Sequence, residues 1–228
     1  MIALRDVTKH FQEGERRHTV LRELNLEIQS GEILVILGKS GSGKSTLLNL
    51  VSGIDLPTSG EICIRETLIN DLPDESRTLF RRKHIGFIFQ FFNLVPTLTV
   101  AENLRLPMEL NANSPGEGYR ERILHYLSLV GLENRESSYP DRLSGGEQQR
   151  IAIARAIIHE PDLILADEPT GNLDYDIGQQ VLNLLDRMVR EHHKTLIMVT
   201  HSREVIGLAD RVYQLKGGEL HFKPDLPE

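Results

Sequence analysis

The chain has 228 residues, 39% of them hydrophobic and 26% charged, a balance that supports one large globular domain with a buried core and argues against disorder or a coiled coil. Its net charge of −7 opposes broad electrostatic binding to nucleic acid or anionic lipid, both of which need clustered Lys and Arg. The single cysteine, Cys63, excludes an internal disulfide and a cysteine-based zinc site.

Residues 1–37 read as β-rich. Short alternating pieces, Ile2-Ala3-Leu4 and Leu24-Asn25-Leu26-Glu27-Ile28, flank a charged turn over Gln12 to His18. The opening residues, Met1 to Asp6, lack the long apolar core of a secretion signal, and no segment approaches the roughly 18 apolar residues of a membrane span. The chain is therefore expected in the cytoplasm, with any membrane attachment made through a partner.

The apolar run Ile33-Leu34-Val35-Ile36-Leu37 reads as a buried strand and Thr46 to Val51 as a helix. Between them, Gly38-Lys39-Ser40-Gly41-Ser42-Gly43-Lys44-Ser45 fits the phosphate-loop pattern G-x-x-x-x-G-K-[ST] at every fixed position. The glycines at 38, 41 and 43 allow backbone turns that a Cβ would forbid, so that successive N–H groups converge on a β-phosphate. The dipole of the following helix adds partial positive charge at the same point. Lys44 is expected to bridge the β- and γ-phosphates, and the Ser45 hydroxyl to hold Mg²⁺.

Farther along, Glu61-Ile62-Cys63-Ile64 reads as a strand in which Cys63 is a small buried thiol. The one basic cluster, Arg77, Arg81, Arg82 and Lys83, reads as a solvated helix face. Strand signals return at Ile85 to Phe89, Leu163 to Ala166 and Leu196 to Val199, with helical periodicity over Ile177 to Val189. Such alternation predicts an α/β fold with a parallel sheet covered on both faces. From Val100 to His159 helical patterns dominate, punctuated by the loop Asn111 to Gly118, which reads as a helical lobe inserted into the α/β core. There is no internal repeat.

Two further stretches carry chemistry. Ser144, Gly145 and Gly146 lead into a helix expected over Gln148 to Ile158, with Ser144 as its N-cap, and a helix tip of small residues is a second anion site. The strand Leu163 to Ala166 ends in Asp167-Glu168, where α/β folds place ligand chemistry: Asp167 is positioned to hold Mg²⁺ through water, and Glu168 to polarise the water that attacks a γ-phosphate.

Taken together, the phosphate loop, Gln90 after a strand, Leu143-Ser144-Gly145-Gly146-Glu147, Asp167-Glu168, Gly171-Asn172-Leu173-Asp174 and His201 after Val199-Thr200 resemble the ATP-binding subunits of ABC transporters over nearly the whole chain. The resemblance implies a P-loop NTPase fold of RecA-like type, with a parallel-sheet core, an N-terminal antiparallel β subdomain and an inserted helical subdomain. One nucleotide-binding domain is expected, its core at 1–95 and 160–228 and its helical part at 96–159. ATP and Mg²⁺ are the implied cofactors.

Residue by residue, the resemblance implies that Phe11 stacks on adenine with Val20 flanking the base, and that Gly38, Lys39, Ser40, Gly41, Ser42, Gly43, Lys44, Ser45 and Thr46 hold the phosphates. Gln90 senses the γ-phosphate and Mg²⁺ and contacts the membrane partner. Glu168 is the catalytic carboxylate, with Lys44, Gln90 and His201 also in the catalytic set; Ser45, Gln90 and Asp167 serve the metal. Asp174 couples two opposed sites. Ser144, Gly145, Gly146 and Glu147 serve ATP held on the phosphate loop of another copy, so the chain is expected to form a head-to-tail homodimer around nucleotide. Departures from the family pattern, Lys39 where Pro or Asn is usual, Ser202 for Asp, and Asn172-Leu173-Asp174 for Ala-Leu-Asp, remove no group that hydrolysis needs.

Within the family, Phe11-Gln12-Glu13-Gly14 followed by Thr19-Val20-Leu21, then Gly86 to Pro96 and Ala166 to Asp174, resemble the LolD, MacB and FtsE group, whose permeases (FtsX-, LolC-, LolE- and MacB-like) have few membrane helices and large extracytoplasmic domains. Lipoprotein release is the first expectation and MacB-like export the second, at the cytoplasmic face of the plasma (inner) membrane. Phe89 to Pro107 would form the groove for a permease coupling helix, with half of Phe91, Phe92, Leu94 and Val95 exposed. The alternative, a permease-independent ABC-type ATPase of a soluble or nucleic-acid machine, is opposed by the acidic balance and by the lack of coiled-coil, zinc or second cassette insertions. A module that binds ATP without hydrolysing it is opposed by Glu168 and His201.

Overall fold

The computed structural model describes residues 1–14, 16–111 and 118–223. In chain order the elements are β1 (Ile2–Glu13), β2 (Arg16–Ile28), β3 (Ile33–Leu37), α1 (Lys44–Val51), β4 (Ser59–Ile64), β5 (Thr67–Leu68), α2 (Asp74–His84), β6 (Ile85–Ile88), α3 (Val100–Asn111), α4 (Tyr119–Leu129), α5 (Gly145–Ile157), β7 (Leu163–Asp167), α6 (Tyr175–Glu191), β8 (Thr195–Thr200), β9 (Arg211–Lys216) and β10 (Glu219–Phe222). They fall into two compact units, Met1–Arg81 with the segment from His193 onward, and Arg82–His192.

In the first unit β1 pairs antiparallel with β2 and with β4, giving the order β2-β1-β4-β5. Alternation sets the register: Leu4 faces Leu26 on one side and Ile62 on the other, and all three are buried. The hairpin runs farther than the apolar pattern. Pairing continues through Phe11↔His18 and Gln12↔Arg17, so most of the expected charged turn is strand, and of its centre Glu15 lies outside the described residues. Ladder hydrogen bonds need only backbone groups, so once the apolar pairs fix the register a polar segment extends it. Cys63 departs from expectation: Ile62 and Ile64 point into the core, and Cys63 between them is half-buried on the opposite face, its Sγ 3.6 Å from the Arg65 carbonyl.

The same unit holds the strand order β10-β9-β3-β8, with β3 parallel to both β8 and β9 and every β3 residue buried. A strand buried on both faces reads as an unbroken apolar run, which is why its limits match the sequence reading residue for residue. The basic cluster on α2 divides. Arg82 and Lys83 are exposed, whereas Arg77 donates to the Leu72 carbonyl at 3.1 Å and pairs with Asp74 at 2.7 Å, and Arg81 donates to the Gly53 carbonyl at 3.1 Å. Arg81 thus places its charge just past the C-terminus of α1, where the helix dipole favours a cation.

The second unit carries the parallel pair β6 and β7 and helices α3 to α6. Helix α5 is its centre: Ile151, Ala152, Ile153, Ala154 and Ile157 have no accessible surface beyond trace. It starts at Gly145, three residues before the sequence reading, and it packs on β6 so closely that a Cβ at Gly86 would run into the Ala156 carbonyl oxygen. Of the loop Asn111 to Gly118, residues 112–117 lie outside the described residues.

Candidate functional site

In the first unit β3 delivers the chain to Gly38, whose N–H donates to the Thr200 carbonyl at 3.0 Å. Gly41 and Gly43 take φ of 75° and 101°, left-handed values that an L side chain rarely adopts. Gly38 serves differently: its φ is ordinary, but a Cβ there would strike the Ser42 hydroxyl. Gly43 is the N-cap of α1 and offers no side-chain cap, so the helix presents its orphan N–H groups with no acidic residue in the first turn to compete for them. Lys44 is 7% exposed and donates to the Gly38 carbonyl at 2.8 Å and the Lys39 carbonyl at 3.2 Å, which folds its ammonium back over the loop. Ser42 Oγ is buried without a hydrogen-bond partner among the described residues. A buried orphan hydroxyl in a loop that carries one ammonium and ends at an uncapped helix N-terminus suits a site for phosphate oxygens.

Lys39, Ser40, Gly41 and Ser45 are exposed, and Thr46 is half-buried. Val20 packs on this loop: its Cγ1 lies 2.9 Å from where a Cβ on Gly43 would be. Phe11 is 41% exposed with the Lys9 ammonium 4.9 Å from its ring centre, an arrangement that leaves an aromatic face to solvent. Pairing of Leu37 with Thr200 brings His201, exposed, to the same strand ends as Gly38. The first unit therefore gathers Val20, the loop and His201.

The second unit gathers the others. Ile88 pairs with Ala166, so the chain leaves β6 toward Gln90 beside the place where β7 ends in Asp167 and Glu168. Gln90 is pinned by Asn172, whose Nδ2 donates to the Gln90 carbonyl at 2.8 Å while Gln90 Nε2 approaches Asn172 Oδ1 at 3.4 Å, and Gly171 admits the side chain because a Cβ there would lie 2.9 Å from Gln90 Nε2. The Asn172 departure from the family pattern thus has a use. Glu168 has φ 48°, a left-handed strain at a non-glycine residue, and its carbonyl accepts from Gly171 N–H at 3.0 Å to close the turn.

At the tip of α5 the expected N-cap is present and doubled. Ser144 Oγ accepts from Glu147 N–H at 3.3 Å, and Glu147 Oε2 accepts from Ser144 N–H at 2.8 Å, a capping box whose S-x-x-E spacing stands in the sequence. The Ser144 N–H holds the Glu147 carboxyl below the usual carboxylate range, with Arg135 at 3.3 Å acting in the same direction. Ser144 is exposed. Gly146 is small because α6 arrives there, a Cβ on it lying 2.5 Å from Ile177 Cγ2, whereas a Cβ on Gly145 would meet Leu173 Cδ2 only at an ordinary 3.4 Å. Asp174 caps α6 by accepting from Ile177 N–H at 3.1 Å.

Three polar residues had no signal in the sequence. Asn103, fully buried, accepts from Val95 N–H and donates to the carbonyls of Val95, Leu98 and Thr99. Arg155 donates to the Phe92 and Asn93 carbonyls at 2.9 and 2.6 Å. Gln149, with 0% exposure, donates to the Pro169 carbonyl at 2.6 Å. Of the apolar residues after Gln90, Phe91 is 71% exposed, and Phe92, Leu94 and Val95 are half-buried.

This geometry defines a P-loop nucleotide-binding cassette. Residues 21–171 match the family described as ABC transporter. The chain is 50% identical over 223 residues to an uncharacterized ABC transporter ATP-binding protein of Mycobacterium tuberculosis, covering 96% of this chain and 88% of the relative. It is 45% identical over 213 residues to the lipoprotein-releasing system ATP-binding protein LolD of Psychrobacter arcticus, covering 93% and 94%. A dimeric post-hydrolysis structure of the ATP-binding cassette MJ0796 of Methanocaldococcus jannaschii, bound to ADP and Pi, superposes with a TM-score of 0.90 at 42% identity over 98% of both chains. The chain belongs to the ABC transporter family and is an ATP-binding cassette of the ATPase type. Its fold is the α/β cassette with a parallel sheet and an antiparallel β subdomain. Among the described residues no helix is long and apolar enough to cross a membrane.

Proposed function

We propose that this chain is the ATP-hydrolysing subunit of a membrane ABC transporter, and that two copies close head to tail around ATP to energise a permease of the lipoprotein-releasing or macrolide-export type. The observation that carries the reading is a pair of helix tips built for anions, each in a different compact unit: α1, uncapped behind the phosphate loop, and α5, led by exposed Ser144. A nucleotide clasped by one tip from each copy would join the two chains, and hydrolysis would release them.

In this reading Phe11 stacks on the base, Val20 flanks it, and the phosphate loop with Lys44 holds the phosphates. Glu168 orients the attacking water and takes its proton, and His201 contacts the γ-phosphate. Ser45, Gln90 and Asp167 offer hard oxygen donors, which suit Mg²⁺ carried in on a triphosphate. Among the described residues no group of three His, Cys, Asp or Glu clusters, which fits a metal held largely by phosphate and water. When bound, Mg²⁺ neutralises charge on the phosphate oxygens. Asp174 couples the opposed sites, and the domain division at 1–95 with 160–228 against 96–159 separates nucleotide binding from the helical part.

Likeness to LolD supports the permease class, and the exposed Phe91 just beyond Gln90 supports a permease contact on that segment at the cytoplasmic membrane face. The test is Glu168→Gln. Loss of turnover with accumulation of an ATP-dependent dimer is expected, and unchanged turnover would remove Glu168 from its role. Affinity purification from membranes is expected to recover a permease with few membrane helices; ribosomes or nucleic acid instead would favour the permease-independent alternative.

A further inference from the structure

We infer that Gln149 is a positioning residue for hydrolysis: through the Pro169 carbonyl it fixes the turn carrying Glu168, so that the Ser144 tip of α5 and the catalytic carboxylate of one subunit shift together. The inference rests on the roles proposed for Glu168 and Ser144.

Gln149 sits five residues past Ser144, fully buried within α5, and its Nε2 donates at 2.6 Å to the carbonyl of the residue that follows Glu168. That grip falls on strained backbone. Glu168 has φ 48°, and such a conformation persists only where surroundings over-determine it. Two further contacts bind the same pieces, since Gly145 lies against Leu173 and Gly146 against Ile177, on either side of Asp174.

The other amide atom marks this as more than packing. Gln149 Oε1 is buried and accepts no hydrogen bond among the described residues. An apolar side chain of the same volume would remove the desolvated, unpaired Oε1 but leave the buried Pro169 carbonyl unpaired instead, two costs of similar size, so the fold would change little in stability. The amide is placed where it grips the Glu168 turn and where stability alone gives no reason for it. In a nucleotide-joined dimer, Ser144 faces ATP on the other copy while Glu168 works on ATP held by its own, so a rigid link between them transmits occupancy of one site to chemistry at the other.

The experiment compares wild type with Gln149→Met and Gln149→Leu, measuring ATPase rate against ATP concentration and thermal unfolding without nucleotide. Expected are a melting temperature close to wild type, a KM for ATP within about twofold, a kcat lower by about tenfold or more, and a Hill coefficient falling toward one. Wild-type kcat and cooperativity in both variants would overturn the inference. So would a clear loss of melting temperature in both, which would make Gln149 a prop of the fold. A Glu168→Gln control separates the two claims: abolished turnover there with wild-type behaviour at Gln149→Met sinks only the inference, whereas full turnover in Glu168→Gln sinks the reading of the site beneath it.

Discussion

Ser144 serves the helix through its own cap and, in the proposed dimer, ATP on the partner copy, and two substitutions separate these tasks. Ser144→Ala removes the oxygen that accepts from Glu147 N–H at 3.3 Å, while the reciprocal bond at 2.8 Å survives because it uses the Ser144 backbone N–H. N-cap losses run to about 0.5–2 kcal/mol; the site is exposed and water can reach the freed N–H, which places this one at about 0.5–1 kcal/mol. For a chain of this size that is a fall in melting temperature of about 1–4 °C. Ser144→Asp keeps an acceptor at the cap and puts a negative charge at a helix N-terminus, so it is expected to melt at or above Ser144→Ala. Its carboxylate would, however, repel a triphosphate. Light scattering with ATP in the Glu168→Gln background should therefore show dimer for the parent and monomer for Ser144→Asp. An ATP-dependent dimer of Ser144→Asp equal to the parent would refute the anion-site argument, and a loss above about 2 kcal/mol in Ser144→Ala would refute the cap estimate.

Three other outcomes are expected. Because the Glu147 carboxyl is held below its unfolded value by the Ser144 N–H, its contribution is complete above about pH 4.3 and is lost as pH falls through the folded value; between about pH 5 and about pH 3 wild type should lose more melting temperature than Glu147→Gln, and parallel curves would count against it. Gly86→Ala sets a Cβ against the Ala156 carbonyl where β6 meets α5, backbone against backbone, with an expected cost of about 3 kcal/mol or more and poor soluble yield; a melting temperature unchanged from wild type would show that the two elements separate freely. Arg155→Lys exchanges a fork on two carbonyls for one ammonium, and hydrogen exchange over residues 91–95 should quicken by at least fivefold, about 1 kcal/mol of local stability, while β3 stays protected.

Much of the fold was legible because its signals are local. Ile33 to Leu37 is bounded by Glu32 and Gly38 and buried on both faces, so composition alone set its limits. The phosphate loop was legible for a like reason: its spacing is contiguous, and its glycines at 41 and 43 answer to the left-handed φ that the turn takes. The start of α5 was misjudged because Gly145-Gly146 reads as loop, yet glycine there answers to Ile177, more than thirty positions away in the chain. Gln149, Asn103 and Arg155 look in sequence like polar helix-face residues; their partners are backbone carbonyls, which leave no mark on composition. Cys63 failed for a geometric reason, since a period of two turns a neighbour of buried Ile62 to the other face. Roles for Gln90 and Asp174 came through family resemblance, because no local spacing ties them to the loop, whereas Glu168 was also marked by its place at a strand end.

Two polar side chains of α5 reach places where the backbone of the second unit is strained. Phe92, Asn93 and Glu168 take φ of 44°, 50° and 48°, each costing roughly 1–3 kcal/mol that the surroundings must offset. Arg155 holds the carbonyls of the first two, and Gln149 holds the carbonyl that follows the third. A helix buried on every side is a suitable anchor, since its own position is fixed by Ile151, Ile153 and Ile157 before any turn is clamped to it. If strain and clamp belong together, severing either clamp should release its own turn and leave the other held. Hydrogen exchange at Gly171, whose N–H closes the Glu168 turn, should then rise in Gln149→Met and stay at the wild-type rate in Arg155→Lys; a rise of similar size in both variants would mean that the two turns are held by α5 as a whole and that neither clamp has a turn of its own.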